Sequence, residues 1–261
     1  MHSIDILWHR VLRRPYTLTT IDEGEGHPVV LLHGLAASSR LWEPLIKLLR
    51  PKRRVLAIDL LGFGASPSPE WNDYDVEQHA KMVVATLKKR GVTKGAVLVG
   101  HSMGCLIATH IAARHPKLVD RLILYEPPLF ADDPEYRSHA KRRERYFAFF
   151  AYIAAHPQWA FTQSYLMRIT RRVIGLGVDK TTWVPFERSL RNTIMRQEAY
   201  DELRTIAVPT DIVHGRLDFV VIRTEVKIMF AANEHIKLHT VTDMHGLSGR
   251  SARYLARLLQ Q

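Results

Sequence analysis

Ala96-Val97-Leu98-Val99-Gly100-His101-Ser102-Met103-Gly104-Cys105-Leu106-Ile107-Ala108-Thr109 is the stretch on which the fold turns. Residues 96–101 are a short, nearly unbroken apolar run, the length and make-up of a strand buried on both faces. From Met103 to His115 the chain is apolar almost all round and stops before Pro116, which predicts a helix packed against that strand. Between the two stands Gly-x-Ser-x-Gly at 100–104. The flanking glycines permit a tight, strained turn that holds the Ser102 hydroxyl clear of the sheet. A strand before and a helix after are what such a nucleophile elbow requires.

The same rhythm extends in both directions. Segments 27–34 (HPVVLLHG), 54–60 (RVLAIDL), 120–125 (DRLILY) and 209–214 (PTDIVH) are further short apolar runs. Between them lie helical patterns: Asp75 stands as an N-cap before Val76, Ala80, Val83 and Leu87, and Gly91 stops the helix. Leu247, Tyr254, Leu255, Leu258 and Leu259 mark a last amphipathic helix. Strand, helix, strand at this spacing predicts an α/β fold: a mostly parallel sheet of seven or eight strands with helices on both faces. Between 131 and 205 the strand runs stop and helical stretches replace them, with Trp183, Phe186, Leu190 and Ile194 at 3-4-4 spacing. The expected division is a core over 1–130, an inserted helical cap over 131–205, and the rest of the core over 206–261.

Composition narrows the class. With 46% hydrophobic and 24% charged residues, the chain of 261 is an ordinary globular protein rather than a disordered or fibrous one. Its single cysteine, Cys105, excludes an intrachain disulfide and a cysteine-rich metal site. The opening MHSIDILWHR lacks a signal-peptide pattern, and no run reaches the ~18 apolar residues of a spanning helix, so a cytoplasmic protein is expected. A net charge of +11 attracts polyanions in general, but no nucleic-acid reading motif accompanies it, and no specific nucleic-acid partner is expected. Ile4, Leu7, Trp8, Val11 and Leu12, flanked by Arg10, Arg13 and Arg14, suit a short amphipathic helix. Packing against the domain's own surface is the expected fate of that face. Contact of this basic helix with a membrane surface is the other reading.

A serine hydroxyl is a poor nucleophile unless a base, itself held by a third group, takes its proton. After an elbow of this kind the partners follow in the order Ser, acid, His, each beyond a later strand. Asp218 lies in Gly215-Arg216-Leu217-Asp218 just past the strand ending at His214, and His245 follows the run Ile236–Thr242. Glu126, at the end of the 120–125 strand, and Asp243, close to His245, are the competing acids. An oxyanion needs two donors. Met103 N–H, next to the nucleophile, supplies one, and Leu35 N–H, after His33-Gly34, is the candidate for the other.

These pieces, together with Asp59-Leu60-Leu61-Gly62-Phe63-Gly64-Ala65-Ser66, resemble the α/β-hydrolase family from about residue 27 to the C-terminus, with 131–205 resembling its helical cap. Two features depart from the pattern. Only Tyr16–Glu23 reads as a strand where the family has an N-terminal hairpin, and Cys105 occupies a position where many relatives carry Gly or Ala. Cys105 is read as a small buried residue and not as a second nucleophile. A serine at the elbow sets the chain apart from the carboxylate-nucleophile dehalogenases and epoxide hydrolases of this fold. The resemblance implies a serine hydrolase of carboxylic esters that requires no metal and no cofactor.

Aromatic and sulfur-containing residues in the insertion, Phe149, Phe150, Trp159, Met167, Trp183 and Met195, are expected to face the substrate. Small to medium apolar acyl groups are the expected substrates. A C–C bond hydrolase of diketo acids, favoured by the basic residues of 137–196, would use the same triad, and a non-catalytic ligand-binding module would keep the fold without the chemistry.

Overall fold

The computed structural model describes residues 4, 6–130, 144, 147, 148, 151, 152, 155, 182–218, 221 and 223–260. Seven strands form one sheet: β1 (Thr20–Glu23), β2 (Pro28–Leu32), β3 (Arg54–Ile58), β4 (Ala96–His101), β5 (Val119–Tyr125), β6 (Thr210–Gly215) and β7 (Ile236–Val241). Their spatial order is β1-β3-β2-β4-β5-β6-β7. All neighbours are parallel except β1 and β3, which run antiparallel with Thr20 opposite Ile58. Among the described residues the sheet has seven strands.

Both faces of the central strands are buried, as their continuous apolar runs require. Alternate residues divide between two cores. Val29, Leu31, Val55, Ala57, Val97, Val99 and Ile123 pack with α1 (Glu43–Leu49) and α7 (Gly249–Leu258). Val30, Leu32, Leu56, Ile58, Leu98, Leu122 and Leu124 pack with α2 (Val76–Lys89) and α3 (Met103–Arg114). Burying one such side chain contributes about 1.5–3 kcal/mol, so the two-sided central strands anchor the structure. The Asp75 side chain caps α2 by accepting from the Gln78 amide at 2.7 Å. Ser248 and Ser251 close a reciprocal capping box at the start of α7.

The first strand is shorter than the run Tyr16–Glu23 predicts, for a local reason. The Tyr16 amide donates to Met82 Sδ at 3.0 Å and the Leu18 amide to Thr86 Oγ1 at 2.9 Å. Backbone donors spent on α2 side chains are not available to a ladder. The N-terminal segment also departs from expectation. Ile6–Val11 forms a turn of π-helix with no buried residue, and Ile4, Leu7, Val11 and Leu12 are each more than half exposed. The apolar face does not pack against the domain. What ties the segment down is polar and aromatic: His9 stacks on Tyr16 at 3.6 Å and its Nδ1 bonds the Arg14 carbonyl.

Within the insertion, α4 (Trp183–Ser189), a π-helical turn (Leu190–Ile194) and α5 (Ala199–Thr205) are helical, as are the described residues between 144 and 155. The 182–205 part is fastened to the loop before α2: Arg188 donates to the carbonyls of Glu70 and Asn72, Asn192 to Asp73, and Thr193 to Tyr74. Helix α6 (Arg223–Ala232) leads into β7, with Val226 and Met229 in the same core as α2 and α3.

Candidate active site

Ser102 sits between the last residue of β4 and the first of α3, with φ +51° and ψ −121°, a left-handed backbone that L-residues rarely adopt. The neighbouring glycines make this turn possible by omission. A Cβ on Gly100 would run into the backbone of Gly104 and Cys105, and one on Gly104 into the Leu32 and His33 carbonyls. The strained serine is held by its own amide, which donates to the Tyr125 carbonyl at 3.0 Å.

Three side chains meet at this point. His245 Nε2 is 2.9 Å from Ser102 Oγ, and His245 Nδ1 is 2.7 Å from Asp218 Oδ2. A carboxylate only accepts, so Nδ1 carries the proton and donates it to Asp218, leaving Nε2 to accept from the Ser102 hydroxyl. Ser102 is 8% exposed, His245 4% and Asp218 3%, so these bonds lie in a dry setting. Asp218 comes from the turn after β6, whose Leu217 amide donates to the Asp243 carbonyl at 3.1 Å, joining this turn to the loop that carries His245. The remaining Asp218 oxygen accepts from the Val221 amide at 3.3 Å.

The competing acids are placed differently. Asp243 accepts from the Met244 amide at 3.0 Å and from the Ser248 hydroxyl, serving the loop rather than the imidazole. Glu126 is fully buried at the end of β5 beside Asp218, not against His245 Nδ1.

The two oxyanion candidates flank the serine. Met103 opens α3, where a helix leaves its first amides without an internal acceptor. The loop carrying Leu35 touches the nucleophile closely: a Cβ on Gly34 would lie 3.0 Å from both Ser102 Cβ and His101 Nδ1. Of the six residues expected to line the pocket, Phe149, Phe150, Trp159 and Met167 lie outside the described residues. Trp183 is half-buried, against the core and Phe186, and Met195 is half-buried at the end of the π-helical turn.

Two supporting histidines escape a reading by sequence position. His33 donates from Nδ1 to the Gly34 carbonyl at 2.7 Å and accepts at Nε2 from the Leu60 amide at 2.9 Å. It thereby ties the Leu35 loop to the segment 59–66. Burial holds it neutral, with its pKa pulled down to about 4, as both bonds require. His101 donates from Nε2 to the His245 carbonyl at 2.6 Å; burial, and then the nearby His245, bring its pKa down to about 3. The only legible signal for either was adjacency to a glycine or to the nucleophile. Asp59 braces the same region, accepting from the Ser39 amide at 2.6 Å and the Ala65 amide at 2.8 Å. Cys105 donates its thiol toward the carbonyls of Gly100 and Tyr125, and burial pushes its pKa well up, so it stays an un-ionised packing residue.

Comparison with known proteins places these features in context. Residues 27–241 match the model of the alpha/beta hydrolase fold family. A pimeloyl-[acyl-carrier protein] methyl ester esterase from Legionella pneumophila (strain Corby) is 27% identical over 199 residues, covering 75% of this chain and 77% of that enzyme. The probable lysophospholipase BODYGUARD 3 of Arabidopsis thaliana is 35% identical over 106 residues, 39% of this chain; the match spans only 21% of that longer relative. Among solved structures, a thermophilic esterase from Thermogutta terrifontis superimposes with a TM-score of 0.74 at 21% identity, covering 93% of this chain and 91% of that one. An enol-lactonase from Burkholderia xenovorans LB400 gives 0.70 at 20% identity, over 93% and 95% of the two chains. At these identities the structural matches speak to the fold. Among the described residues, no helix is long and apolar enough to cross a membrane.

Proposed function

Because this chain belongs to the alpha/beta hydrolase fold family and is a hydrolytic enzyme of that type, we propose that it is a serine esterase working through Ser102, His245 and Asp218. One observation carries the reading: the buried relay in which Ser102 Oγ lies 2.9 Å from His245 Nε2 and His245 Nδ1 lies 2.7 Å from Asp218. In the reaction, Ser102 Oγ adds to the ester carbonyl while His245 takes the hydroxyl proton at Nε2. Asp218 fixes the tautomer and stabilises the imidazolium that forms. The Leu35 and Met103 amides hold the oxyanion. The tetrahedral adduct collapses as His245 returns the proton to the departing alkoxide, leaving an acyl-enzyme. Water, deprotonated by His245, then releases the acid and restores Ser102.

The substrates proposed are esters of small to medium apolar acyl groups, with the 131–205 insertion as a cap over the carboxyl edge of the sheet. Support comes from position: the chain leaves the sheet after β5 and returns at β6, the strands flanking Glu126 and preceding Asp218. Each methylene buried under such a roof adds up to ~0.8 kcal/mol of binding until room runs out. Turnover of p-nitrophenyl esters from acetate to palmitate tests this, and an optimum at intermediate length is expected. A flat profile, or faster cleavage of diketo acids than of any ester, would replace the reading with C–C bond hydrolysis by the same relay.

A further inference from the structure

Glu126 is a carboxyl group that the ester mechanism does not use, and its setting is unusual. It follows β5 with φ at +54°, and its side chain is completely buried. Its amide donates to the Val213 carbonyl at 2.9 Å, fixing it against β6. Its Oε1 lies 2.7 Å from where a Cβ on Gly215 would stand, so the carboxyl sits beneath the turn that presents Asp218. Its oxygens lie near the Asp218 carboxyl and the Gly215 amide, but neither reaches ordinary hydrogen-bond geometry with any group among the described residues.

Among the described residues, the groups acting on it carry no positive charge. Asp218 is its immediate acidic neighbour and Asp243 lies beyond; Tyr125 and Cys105 are neutral, and the Gly215 amide alone favours the anion. His245 already donates to Asp218 through Nδ1 at 2.7 Å. Burial and then Asp218 push the Glu126 pKa up to about 10. Two carboxylates side by side in a dry site do not both ionise.

We propose that Glu126 and Asp218 form a carboxyl pair in which Glu126 keeps the proton and, as a positioning residue, offers it to Asp218. Asp218 then stays anionic toward His245 with part of its charge neutralised from behind. The inference rests on the Ser102–His245–Asp218 reading for its catalytic consequence, though not for the protonation itself.

The test uses the full-length enzyme with Glu126→Gln and Glu126→Leu. Gln mimics the neutral acid, so its pH–rate profile should keep the wild-type acid limb and its kcat should stay within a few-fold. Leu removes the donor, leaves Asp218 more basic and stabilises the imidazolium, so the acid limb should move to higher pH and kcat fall about tenfold. A second readout needs no activity. Above pH ~5 the unfolded chain has lost the Glu126 proton and the native state has kept it, so wild-type stability falls as pH rises. Glu126→Gln should escape that loss, its advantage in the unfolding equilibrium growing by up to about tenfold per pH unit from 5 towards 9. An advantage that does not change with pH, or a Gln limb shifted to lower pH, means that Glu126 is ionised and overturns the proposal. Equal limbs in Gln and Leu make it a buried filler and overturn the positioning role. Should the Leu variant not fold, the Gln limb and the stability curve decide. If Ser102→Ala were fully active, the serine reading would fail while the stability curve still reported on Glu126.

Discussion

The imidazole of His101 donates to the backbone carbonyl of His245 at 2.6 Å, so the residue beside Ser102 holds the loop of His245. The two rings lie 5.1 Å apart between centroids, and Trp42 closes on His101 edge-on from the other side. The β4–α3 turn and the His245 loop are thus linked twice, once through the Ser102 hydroxyl and once through this bond. Replacing His101 by Phe keeps the ring and removes the donor. The expected result is a roughly 10- to 100-fold loss in kcat with KM little changed, measured on a short-chain ester; a comparable rise in KM alone would assign His101 to substrate binding.

Ser102→Ala should fold normally, because alanine adopts the same strained backbone at about the cost serine already bears. Its kcat should fall by roughly 10⁴- to 10⁶-fold. Labelling by a fluorophosphonate should disappear with it.

Asp218→Asn should cost about 10⁴-fold in kcat by leaving the imidazole in the wrong tautomer. Asp243→Asn, whose side chain accepts from the Met244 amide and the Ser248 hydroxyl, should cost less than tenfold. Steady-state kinetics on the two variants separate them, and the reverse ranking would move the acid.

Gly34→Ala places a methyl 3.0 Å from Ser102 Cβ and His101 Nδ1, tighter than ordinary contact, and the loop carrying Leu35 must shift to accept it. Since a donor displaced from an oxyanion weakens the transition state more than the ground state, kcat should drop 10- to 1,000-fold with KM nearly constant.

Acid should unfold the protein steeply. His33, His79 and His101 are buried and neutral, with pKa values pulled down to about 4, 3 and 3 by burial. In the unfolded chain they take up protons near pH 6.5, so from there down to about pH 4 the unfolded state binds more protons and stability falls with pH. Each histidine contributes a slope of up to about 1.4 kcal/mol per pH unit in that window. Urea midpoints between pH 4.5 and 8 measure it, and His79→Gln should flatten the slope by one proton's worth.

Much of this architecture was legible because the informative patterns are local. Apolar runs bounded by Gly or Asp mark β2 to β6 within one or two residues, and the Asp75 cap marks α2. That Ser102, Asp218 and His245 meet follows from their place after successive strands, a consequence of how parallel sheets present loops at one edge. What escaped was set by distant contacts. The roles of His33 and His101 depend on Leu60 and His245, 27 and 144 residues away. The shortness of β1 depends on Met82 and Thr86 side chains. The exposed N-terminal face was misjudged because amphipathic spacing says that a face is apolar, not that anything lies opposite it.

The adjacency of β5 and β6 carries a further consequence, for the order in which the enzyme comes into being. These strands pair from Leu122 with Thr210 to Tyr125 with Val213, although residues 126–209 separate them in sequence. A nascent chain that has emerged only as far as Tyr125 already holds β1 to β5 and Ser102, but neither Asp218 nor His245. Closing so long a connection is slow and costly in chain entropy relative to the local pairings before it. The first half can collapse early; the relay forms only when β6, β7 and the loop after it dock. The onset of turnover during refolding should therefore trail the return of secondary structure, and activity becomes a clock for the final docking step.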